Sequence, residues 1–569
     1  MTKQGRPIER VRSSFAWIFW PLLAALTLWA YSGVTRMGYV LWDDNVTVQD
    51  NALLRLPWWE ATKAMFGGYY SGDYMPLALQ SYWLELRLFG FGPGAQHGVN
   101  LALHLLNTAL LAVWLQAFPR LRRWAPLLCV IFALHPVQVE SVAWLSERKG
   151  LLASAFYFAA IWAALRASAT ERHSWIYRGL YFGLFLCAAL AKANGLLLPV
   201  WLIAVALNEA SEQPPADRRR RILVLHLPVV VLAIYFAWVR TKAYASSIPS
   251  LGTAVFDPAH LRMLPEQIAA AIGFYARTLL WPMDLSIIYL PFSTNGPWLL
   301  DSALGGLLML LGLACMALRS FRYAALWLLF AAVTLLPVLQ LVPRLNFVND
   351  RYLYLPIVGA TAWVLLALEA LGRRLASKLS GHWFHQVGPM LLPILFMACG
   401  GVSSARRLTV WTSNLALWSD TVAKIPGSSL AHNNLGQALL SQGDRTAAIG
   451  AFEASLAAAA ANPTGDNSAL NNLAMIHSDK GHLETFDLQK AANYLLQGIA
   501  MAPRPEEAFI PRFNLALVYV QAGQPAVALD HLRSLDRDLD SSPNQRYRFL
   551  QERIQSMIPQ LQASPPVPP

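Results

Sequence analysis

Long apolar runs are the feature that most constrains this chain. A helix needs about 20 consecutive apolar residues to cross the hydrocarbon core of a bilayer. Eleven runs of roughly that length precede residue 405, and we predict a span at each: 14–33, 97–117, 125–145, 150–167, 176–191, 193–208, 221–240, 301–318, 323–342, 353–372 and 387–403. With 56% hydrophobic and 14% charged residues, the composition is that of a polytopic membrane protein.

Basic residues predict the orientation of these spans, because cytoplasmic loops carry an excess of Lys and Arg. They cluster in alternate loops: Arg120, Arg122 and Arg123; Arg166, Arg172 and Arg178; Arg218 to Arg221; Arg319 and Arg322; and Arg373, Arg374 and Lys378. With these loops inside, the N-terminus is cytoplasmic, and the first external loop, 34–96, faces the other side. A further apolar segment, 264–282, must not cross fully, so we expect it to be interfacial, re-entrant or buried in the bundle. The net charge of +12 is dispersed over many loops, which indicates membrane lipids and no nucleic acid as partners.

The composition changes after residue 405, where a repeat appears. The stretches "NNLGQALLSQG", "NNLAMIHSDKG" and "FNLALVYVQAG" align on Leu435, Leu473 and Leu515. In each copy a small residue that lets paired helices approach precedes, by seven positions, a Gly that ends the first helix. This is the tetratricopeptide pattern. We therefore predict an all-α protein: a helix bundle over residues 1–405, a tetratricopeptide α-solenoid over 406–560, and a disordered Pro-rich tail over 561–569.

Two adjacent carboxylates follow the first apolar run. The stretch "GYVLWDDNVTVQDN", residues 38–51, places Asp43 and Asp44 close to the predicted exit of the first span. Carboxylates are costly near hydrocarbon. The pair therefore has either a solvated role at the interface or a chemical one.

Polar residues also line one face of the second apolar run. In "HGVNLALHLLN" the residues His97, Asn100, His104 and Asn107 fall within an arc of about 80° on a helix. They could hydrogen-bond to neighbouring helices, or they could border an aqueous cavity. Metal ligation by the two histidines is the weakest alternative, because they are two turns apart.

Further charged and polar groups fall on the same predicted face as the two aspartates. The stretches "LHPVQVESVAWLSERKG" and "NDRYLYLP", together with one lysine between two spans, supply the residues His135, Glu140, Arg148, Lys149, Lys192, Asp350, Arg351 and Tyr352. Cations and carboxylates converging on one face suit a reaction in which a base activates a hydroxyl while cations hold a departing phosphate.

In this order, "WDDNVTVQDN", "YMPLALQSYWLELRLFGFGPGAQHGVNLALHLLN", "LHPVQVESVAWLSERKGLLA", "NDRYLYLP" and the repeats resemble the transmembrane and tetratricopeptide-repeat O-mannosyltransferases and their bacterial relatives, in the glycosyltransferase C superfamily. The resemblance implies a polyprenyl-phosphate-linked sugar as donor and transfer on the extracytoplasmic face. It also implies a catalytic acidic motif in the first external loop, which Asp43 and Asp44 match.

On this basis we hypothesise an inverting transfer of the sugar to a hydroxyl of a protein or an envelope glycan. One of Asp43 and Asp44 is the base, and the other orients the acceptor or binds a divalent cation such as Mg²⁺ or Mn²⁺. The donor phosphate is assigned to four cations, Arg148, Lys149, Lys192 and Arg351. The substrate cavity is assigned to His97, His104, His135, Glu140, Asp350 and Tyr352.

One motif departs from the pattern of the relatives. Where they often have Tyr-Arg-Pro-Leu, this chain has Tyr74-Met75-Pro76-Leu77, so a cation is missing. The Arg-rich loops favour a bacterial inner-membrane protein with an undecaprenyl-phosphate-linked donor, whose periplasmic repeats present a protein acceptor. The alternatives are a non-enzymatic membrane-anchored scaffold for envelope or pilus assembly and, less favoured, a transporter.

Overall fold

The structure is a computed structural model, and it divides the chain into two compact units, Met1–Ala416 and Leu417–Pro569. It describes residues 7–70, 72–90, 92–169, 173–208, 215–247, 257–290, 298–342, 346–375, 388–461, 467–502, 504–541 and 547–563. Within these ranges the regular elements are helical, and the only β-pairing is an isolated bridge between Tyr70 and Asp73. The prediction of an all-α protein is confirmed over the described residues.

The helices of the first unit are α1 Pro7–Ala30, α2 Trp58–Gly67, α3 Pro76–Phe89, α4 Pro93–Leu115, α5 Ala125–Leu134, α6 Gln138–Ala143, α7 Arg148–Ala169, α8 Ser174–Ala191, α9 Leu198–Asn208, α10 Pro215–Ser247, α11 Pro258–Leu280, α12 Trp298–Ala317, α13 Arg322–Leu335, α14 Pro356–Leu375 and α15 Gly388–Leu408. Helix α16, Asn414–Lys424, contains the division between the units. The division falls later than the change in composition at residue 405, because Trp411 is buried and the side chain of Asn414 accepts a hydrogen bond from the Leu41 N–H at 2.5 Å.

Among the described residues, six helices are long and apolar enough to cross a membrane: Ile18–Arg36, Pro93–Leu115, Leu145–Ala169, Ser174–Ala191, Arg219–Ala243 and Trp298–Ala317. Four of the other predicted spans contain shorter apolar helices, Ala125–Leu134, Leu198–Asn208, Arg322–Val338 and Pro356–Gly372. The predicted run 125–145 is broken at His135, whose backbone is extended, because the residue before a proline disfavours the helical conformation. A multi-pass membrane protein is confirmed, whereas the number eleven stays a prediction.

The segment 264–282 lies largely within α11, which packs tightly on α12 through glycines. A Cβ added at Gly273 would stand 1.7 Å from the backbone oxygen of Asp301, and one at Gly305 would stand 1.8 Å from that of Ala269. No larger residue fits at either position without moving the helices apart. Arg277 of α11 also forms two hydrogen bonds to Asp301 of α12, at 2.8 and 2.9 Å. Of the three placements expected for segment 264–282, burial in the bundle therefore fits the face of α11 that packs on α12.

The second unit consists of helices in which each packs against the next: α17 Ser429–Ser441, α18 Arg445–Ala460, α19 Ser468–His477, α20 Leu488–Ala500, α21 Phe509–Gln521, α22 Pro525–Ser541 and α23 Arg548–Ala563. The last helix extends into the predicted tail 561–569, of which residues 564–569 lie outside the described residues.

The repeat glycines end two of the three first helices. Gly443 and Gly523 follow α17 and α21 with φ of 85° and 74°, a conformation that glycine adopts without steric cost. The prediction is wrong for Gly481, because α19 already ends at His477. Gly436 allows close helix contact, since a Cβ there would lie 2.6 Å from the Phe452 ring. The tetratricopeptide assignment itself stays a prediction.

Candidate active site

The two adjacent aspartates occupy different environments. Asp44 is fully buried, and its Oδ1 accepts hydrogen bonds from the backbone N–H of Ser146 at 2.9 Å and from the Ser146 hydroxyl at 2.7 Å. Its Oδ2 accepts a bond from the Val40 N–H at 3.2 Å. Asp43 is exposed and has a positive φ of 67°, a region that Asp tolerates better than most residues. One carboxylate is therefore fixed inside the protein while its neighbour is open to solvent.

Burial raises the pKa of Asp44 to about 7, against the opposing effect of its hydrogen bonds to Ser146 and Val40. The charge on Asp43 raises it further. An isolated carboxylate out of water favours its neutral form, and donated hydrogen bonds only partly offset that preference.

Four consecutive residues, Ser146 to Lys149, connect the loop that carries Asp44 to three other parts of the first unit. Ser146 holds Asp44, and Glu147 forms an ion pair with Lys192 at the end of α8. Arg148 binds Glu85 of α3, and Lys149 lies 3.4 Å from Asp73 in the segment between α2 and α3. We call residues 146–149 the hub segment. Residues 146 and 147 belong to a 3₁₀ turn and residues 148 and 149 begin α7. Because successive side chains of such turns point in different directions, one short stretch can hold the aspartate loop and the basic residues together.

Arg148 is enclosed by protein partners. Its side chain has no exposed surface, and its three nitrogens donate to the Asn100 side chain, to Glu85 and, at 2.6 Å, to the Gln96 carbonyl oxygen. Its ring contact is also internal, since the guanidinium lies 5.0 Å from the centre of the Tyr82 ring. The residue joins α3, α4 and α7, and in this conformation it offers no donor to a phosphate, in contrast to the role assigned to it from the sequence.

Lys149 and Lys192 remain partly exposed, and the structure adds a third cation to them. Arg240, near the end of α10, lies 2.9 Å from Oδ1 of Asp73, while Lys149 approaches Oδ2 of the same carboxylate. Although burial opposes ionisation, the charges of Arg240, Lys149 and Lys192 lower the pKa of Asp73 to about 2. Asp73 is therefore a fixed anion between cations.

A second charged group surrounds Arg351. Its guanidinium binds Glu140, donates to the Asn349 side chain at 3.1 Å and lies 4.8 Å from the centre of the Trp144 ring. Its backbone N–H donates to Glu140 at 2.9 Å. Since the Trp144 indole also donates to the Trp42 carbonyl, next to Asp43, Arg351 is connected to the aspartate loop through one aromatic residue.

Asp350 and Tyr352 flank this arginine. Asp350 is buried and accepts a hydrogen bond from the Tyr289 hydroxyl at 2.6 Å. Burial and the nearby charge of Glu140 raise its pKa to about 7. The Arg351 guanidinium lies 5.2 Å from the centre of the Tyr352 ring, which is partly buried. Glu140 and Tyr352 thus contact Arg351, and Asp350 precedes it in the chain, while their assignment to a substrate cavity stays a prediction.

The polar stripe of α4 is buried and hydrogen-bonded to neighbouring elements. His104 contacts the Tyr354 hydroxyl at 2.9 Å and the Ala133 carbonyl at 3.0 Å, and His97 contacts the Gly38 carbonyl at 3.2 Å. Asn100 and Asn107 donate to the backbones of Trp144 and Leu151 at 3.2 and 3.0 Å. Of the two interpretations, these contacts favour hydrogen bonding between helices over the border of an aqueous cavity.

His135 is also held by the backbone, since its Nε2 lies 3.0 Å from the Leu279 carbonyl and its Nδ1 accepts from the Val137 N–H at 3.3 Å. The three histidines that we assigned to the substrate cavity therefore serve as packing and positioning groups in this conformation.

The aspartate pair does not fit a divalent cation in this arrangement. Both Asp44 oxygens already accept hydrogen bonds from protein donors, and no group of three or more His, Cys, Asp or Glu residues in the described ranges could hold a metal ion. Calcium and magnesium sites need several oxygen ligands around one ion. We derive no step that passes through a metal.

Sequence reasoning missed the residues that complete the charge pairs. Glu85 pairs with Arg148 across 63 positions of sequence, while Asp73 pairs with both Lys149 and Arg240, and no local motif joins these residues. One signal was available for Arg240. It is the last residue of an apolar run, 221–240, that we predicted to end on the face that carries Asp43.

The fold and the site define a class of protein: a multi-pass membrane protein in which the loop after the first apolar helix holds an aspartate pair beside several cations. The chain is similar to protein O-mannosyl-transferase TMTC4 of Mus musculus, with 24% identity over 432 residues, or 66% of this chain and 57% of the relative. It is 23% identical to protein O-mannosyl-transferase TMTC1 of Homo sapiens over 468 residues, or 72% of this chain and 50% of the relative.

A shorter match of 28% identity over 155 residues joins the chain to protein O-mannosyl-transferase TMTC2 of Mus musculus. The chain spans about half the length of the curated relatives that it matches. No family model matches it, and no solved structure does. The resemblance to the transmembrane and tetratricopeptide-repeat O-mannosyltransferases is confirmed.

Proposed function

We propose that this chain is a membrane glycosyltransferase that moves a sugar from a polyprenyl-phosphate carrier to a hydroxyl of a protein. The observation that carries the proposal is the hub segment, which holds Asp44 through Ser146 and contributes Glu147 and Lys149 to the neighbouring charged cluster. A base and a phosphate-binding surface are the two parts that such a transfer needs. The names of the similar proteins support the same reaction class.

In the proposed mechanism Asp43 is the base, because it is exposed to solvent while Asp44 is enclosed. The hydroxyl oxygen of the acceptor attacks the anomeric carbon of the sugar, and its proton passes to the Asp43 carboxylate. The bond between the anomeric carbon and the phosphate oxygen breaks, and its electron pair stays on the phosphate. Attack from the opposite side inverts the anomeric centre. Asp44 is a positioning residue that fixes the loop.

The departing phosphate gains one negative charge in this step, so nearby cations stabilise the transition state more than the ground state. We assign this role to Lys149 and Lys192, which are partly exposed, and to Arg351, which is linked to the aspartate loop through Trp144. Arg148 acts through Glu85 and Asn100 as a positioning residue.

The finer features of the proposal rest on the charge pattern and the resemblance. The carrier is undecaprenyl phosphate, the protein lies in a bacterial inner membrane, and the reaction takes place on the periplasmic face. The second unit binds the acceptor polypeptide. The identity of the sugar is left open.

The test is turnover of a lipid-linked sugar by the purified full-length protein. The protein is incubated with undecaprenyl-phosphate-linked hexoses and an extract of envelope proteins, and release of undecaprenyl phosphate is measured together with the sugar gained by protein. Asp43→Asn should lower the rate by about 10²- to 10⁴-fold, the usual contribution of a general base. Asp50→Asn, which changes an exposed carboxylate of the same loop, is the matched control and should keep the wild-type rate.

Two results would contradict the proposal. Wild-type protein that releases no carrier phosphate from any hexose donor would favour the scaffold alternative. Full activity in Asp43→Asn would remove the assigned base.

A further inference from the structure

Arg240 brings a positive charge from a distant helix to the end of the hub segment. It lies near the C-terminal end of α10, and a ring contact of 6.3 Å between Phe236 and Tyr74 fixes this end of the helix beside the first external loop. The Arg240 guanidinium lies 2.9 Å from Asp73, in the turn immediately before Tyr74. The sequence motif that begins at Tyr74 has Met75 at its second position, and Met75 is buried in the apolar core of the loop.

The cluster around Asp73 contains more cations than anions. In the part of the chain that the structure describes, Lys149, Lys192 and Arg240 form ion pairs with two carboxylates, Asp73 and Glu147. Three positive charges against two negative charges leave one positive charge without compensation. Burial and the proximity of Lys149 lower the pKa of Lys192, against the opposing charge of Glu147. An additional anion would therefore be stabilised at this position.

The depths of the charged groups also favour an anion ligand. The side chains of Arg240, Lys149 and Lys192 are 24%, 21% and 12% exposed, whereas those of Asp73 and Glu147 are 10% and 3% exposed. The carboxylates thus lie deeper than the cations that they orient. A cluster of this kind presents a positive surface to a ligand. A group of side chains that only neutralised one another would not present such a surface.

We propose that Arg240, Lys149 and Lys192 together bind the phosphate of the polyprenyl carrier, with Asp73 and Glu147 holding the three cations in place. This inference rests on the proposed function and adds Arg240 as a donor-binding residue. During transfer the phosphodiester, with one negative charge, becomes a phosphomonoester with a second charge. The uncompensated positive charge of the cluster then favours the product form of the carrier. Arginine suits this task because its planar guanidinium can donate two parallel bonds to a phosphate.

Equilibrium binding of two lipids to the full-length protein in detergent tests the proposal without requiring turnover. The probes are undecaprenyl phosphate and undecaprenol, which share the hydrocarbon chain and differ in the phosphate. Arg240→Ala should weaken binding of undecaprenyl phosphate by about tenfold, as expected for one lost charge-assisted contact. It should leave undecaprenol binding unchanged. Arg240→Lys should recover part of the lost affinity because it restores the charge.

Arg262→Ala is the matched control, because Arg262 is an exposed arginine on α11 outside this cluster. It should bind both lipids as the wild type does, and each variant must remain monodisperse at the assay temperature. If Arg240→Ala binds undecaprenyl phosphate as tightly as the wild type, or if it loses both lipids equally, the proposal is overturned. A wild-type protein that distinguishes the two lipids but transfers no sugar would keep this binding site and contradict the proposed function instead.

Discussion

The ion pairs of the two units differ in burial and in reach. In the first unit Arg148 and Glu85 are 0% and 7% exposed, and they join residues 63 positions apart. In the second unit Arg445 and Asp479 are 13% and 45% exposed, and they join neighbouring helix pairs. The buried pair of the first unit holds together elements that are distant in sequence. The pair of the second unit lies on a surface that neighbouring helices already form by local packing.

This difference bears on where the proposed site lies in the chain. Removing two charges from water costs more than an average ion pair returns, so buried pairs are weak evidence for stability. The first unit nevertheless contains several such pairs, and they surround Asp44 and the hub segment. Their geometry holds a site, whereas the exposed pairs of the second unit can vary with little consequence.

The largest effect is expected at Arg148. Arg148→Met removes one partner of a buried pair and leaves Glu85 without its cation, which should lower the free energy of unfolding by about 3–5 kcal/mol. Thermal unfolding in detergent measures the change. The double variant Arg148→Met/Glu85→Leu should recover much of the loss, because no unpaired charge is then buried. An equally unstable double variant would contradict this account of the pair.

Truncation should separate acceptor binding from chemistry. A protein lacking residues 428–569 retains every residue assigned to the base and the phosphate, so its release of sugar to water or to a small alcohol should be close to that of the full chain. Transfer to the native protein acceptor should fall by about tenfold or more if the second unit binds the acceptor as proposed, because the lost contacts would then contribute only to acceptor affinity. Equal loss of both activities in a monodisperse truncated protein would contradict acceptor binding by the repeats.

The burial of Asp44 should make the stability of the folded protein depend on pH. Because its pKa is raised from 3.8 to about 7, the folded protein binds one more proton at Asp44 than the unfolded chain does between those values. The stability that this carboxyl contributes is therefore present at low pH and lost as the pH rises through about 7.

We expect the stability of the wild type relative to Asp44→Asn to fall by at most about 1.4 kcal/mol per pH unit between pH 5 and pH 7. The difference between the two melting temperatures measures this, because contributions from other titrating groups cancel in it. A constant difference between wild type and Asp44→Asn would show that Asp44 is ionised throughout this range.

The smallest effect is expected in the second unit. Arg445→Ala removes an exposed ion pair with Asp479 and a hydrogen bond to the Ile476 carbonyl at 3.1 Å. Exposed pairs contribute about 0–1 kcal/mol, so the melting temperature should hardly change. A loss comparable to that of Arg148→Met would remove the contrast between the two units.

Much of the fold could be predicted from local patterns. Apolar length predicted the helices Pro93–Leu115, Ser174–Ala191 and Trp298–Ala317, because a helix that crosses lipid needs a long and predominantly apolar stretch of sequence. It failed at His135-Pro136, where the apolar run continues but the backbone cannot remain helical. Hydrophobicity reports the surroundings of a segment, and a proline changes its conformation without changing its hydrophobicity.

The sequence by itself determined the membrane class, the compositional boundary near residue 405, and Asp43 with Asp44 as candidates, because each of these depends on neighbours along the chain. Only the tertiary structure decided that Asp44 is enclosed while Asp43 is open, that Arg148 is paired with Glu85, and that Arg240 reaches Asp73. The physical reason is that the state of a charge depends on its exposure and on the distance to other charges. Both are set by helices that are distant in sequence and adjacent in space.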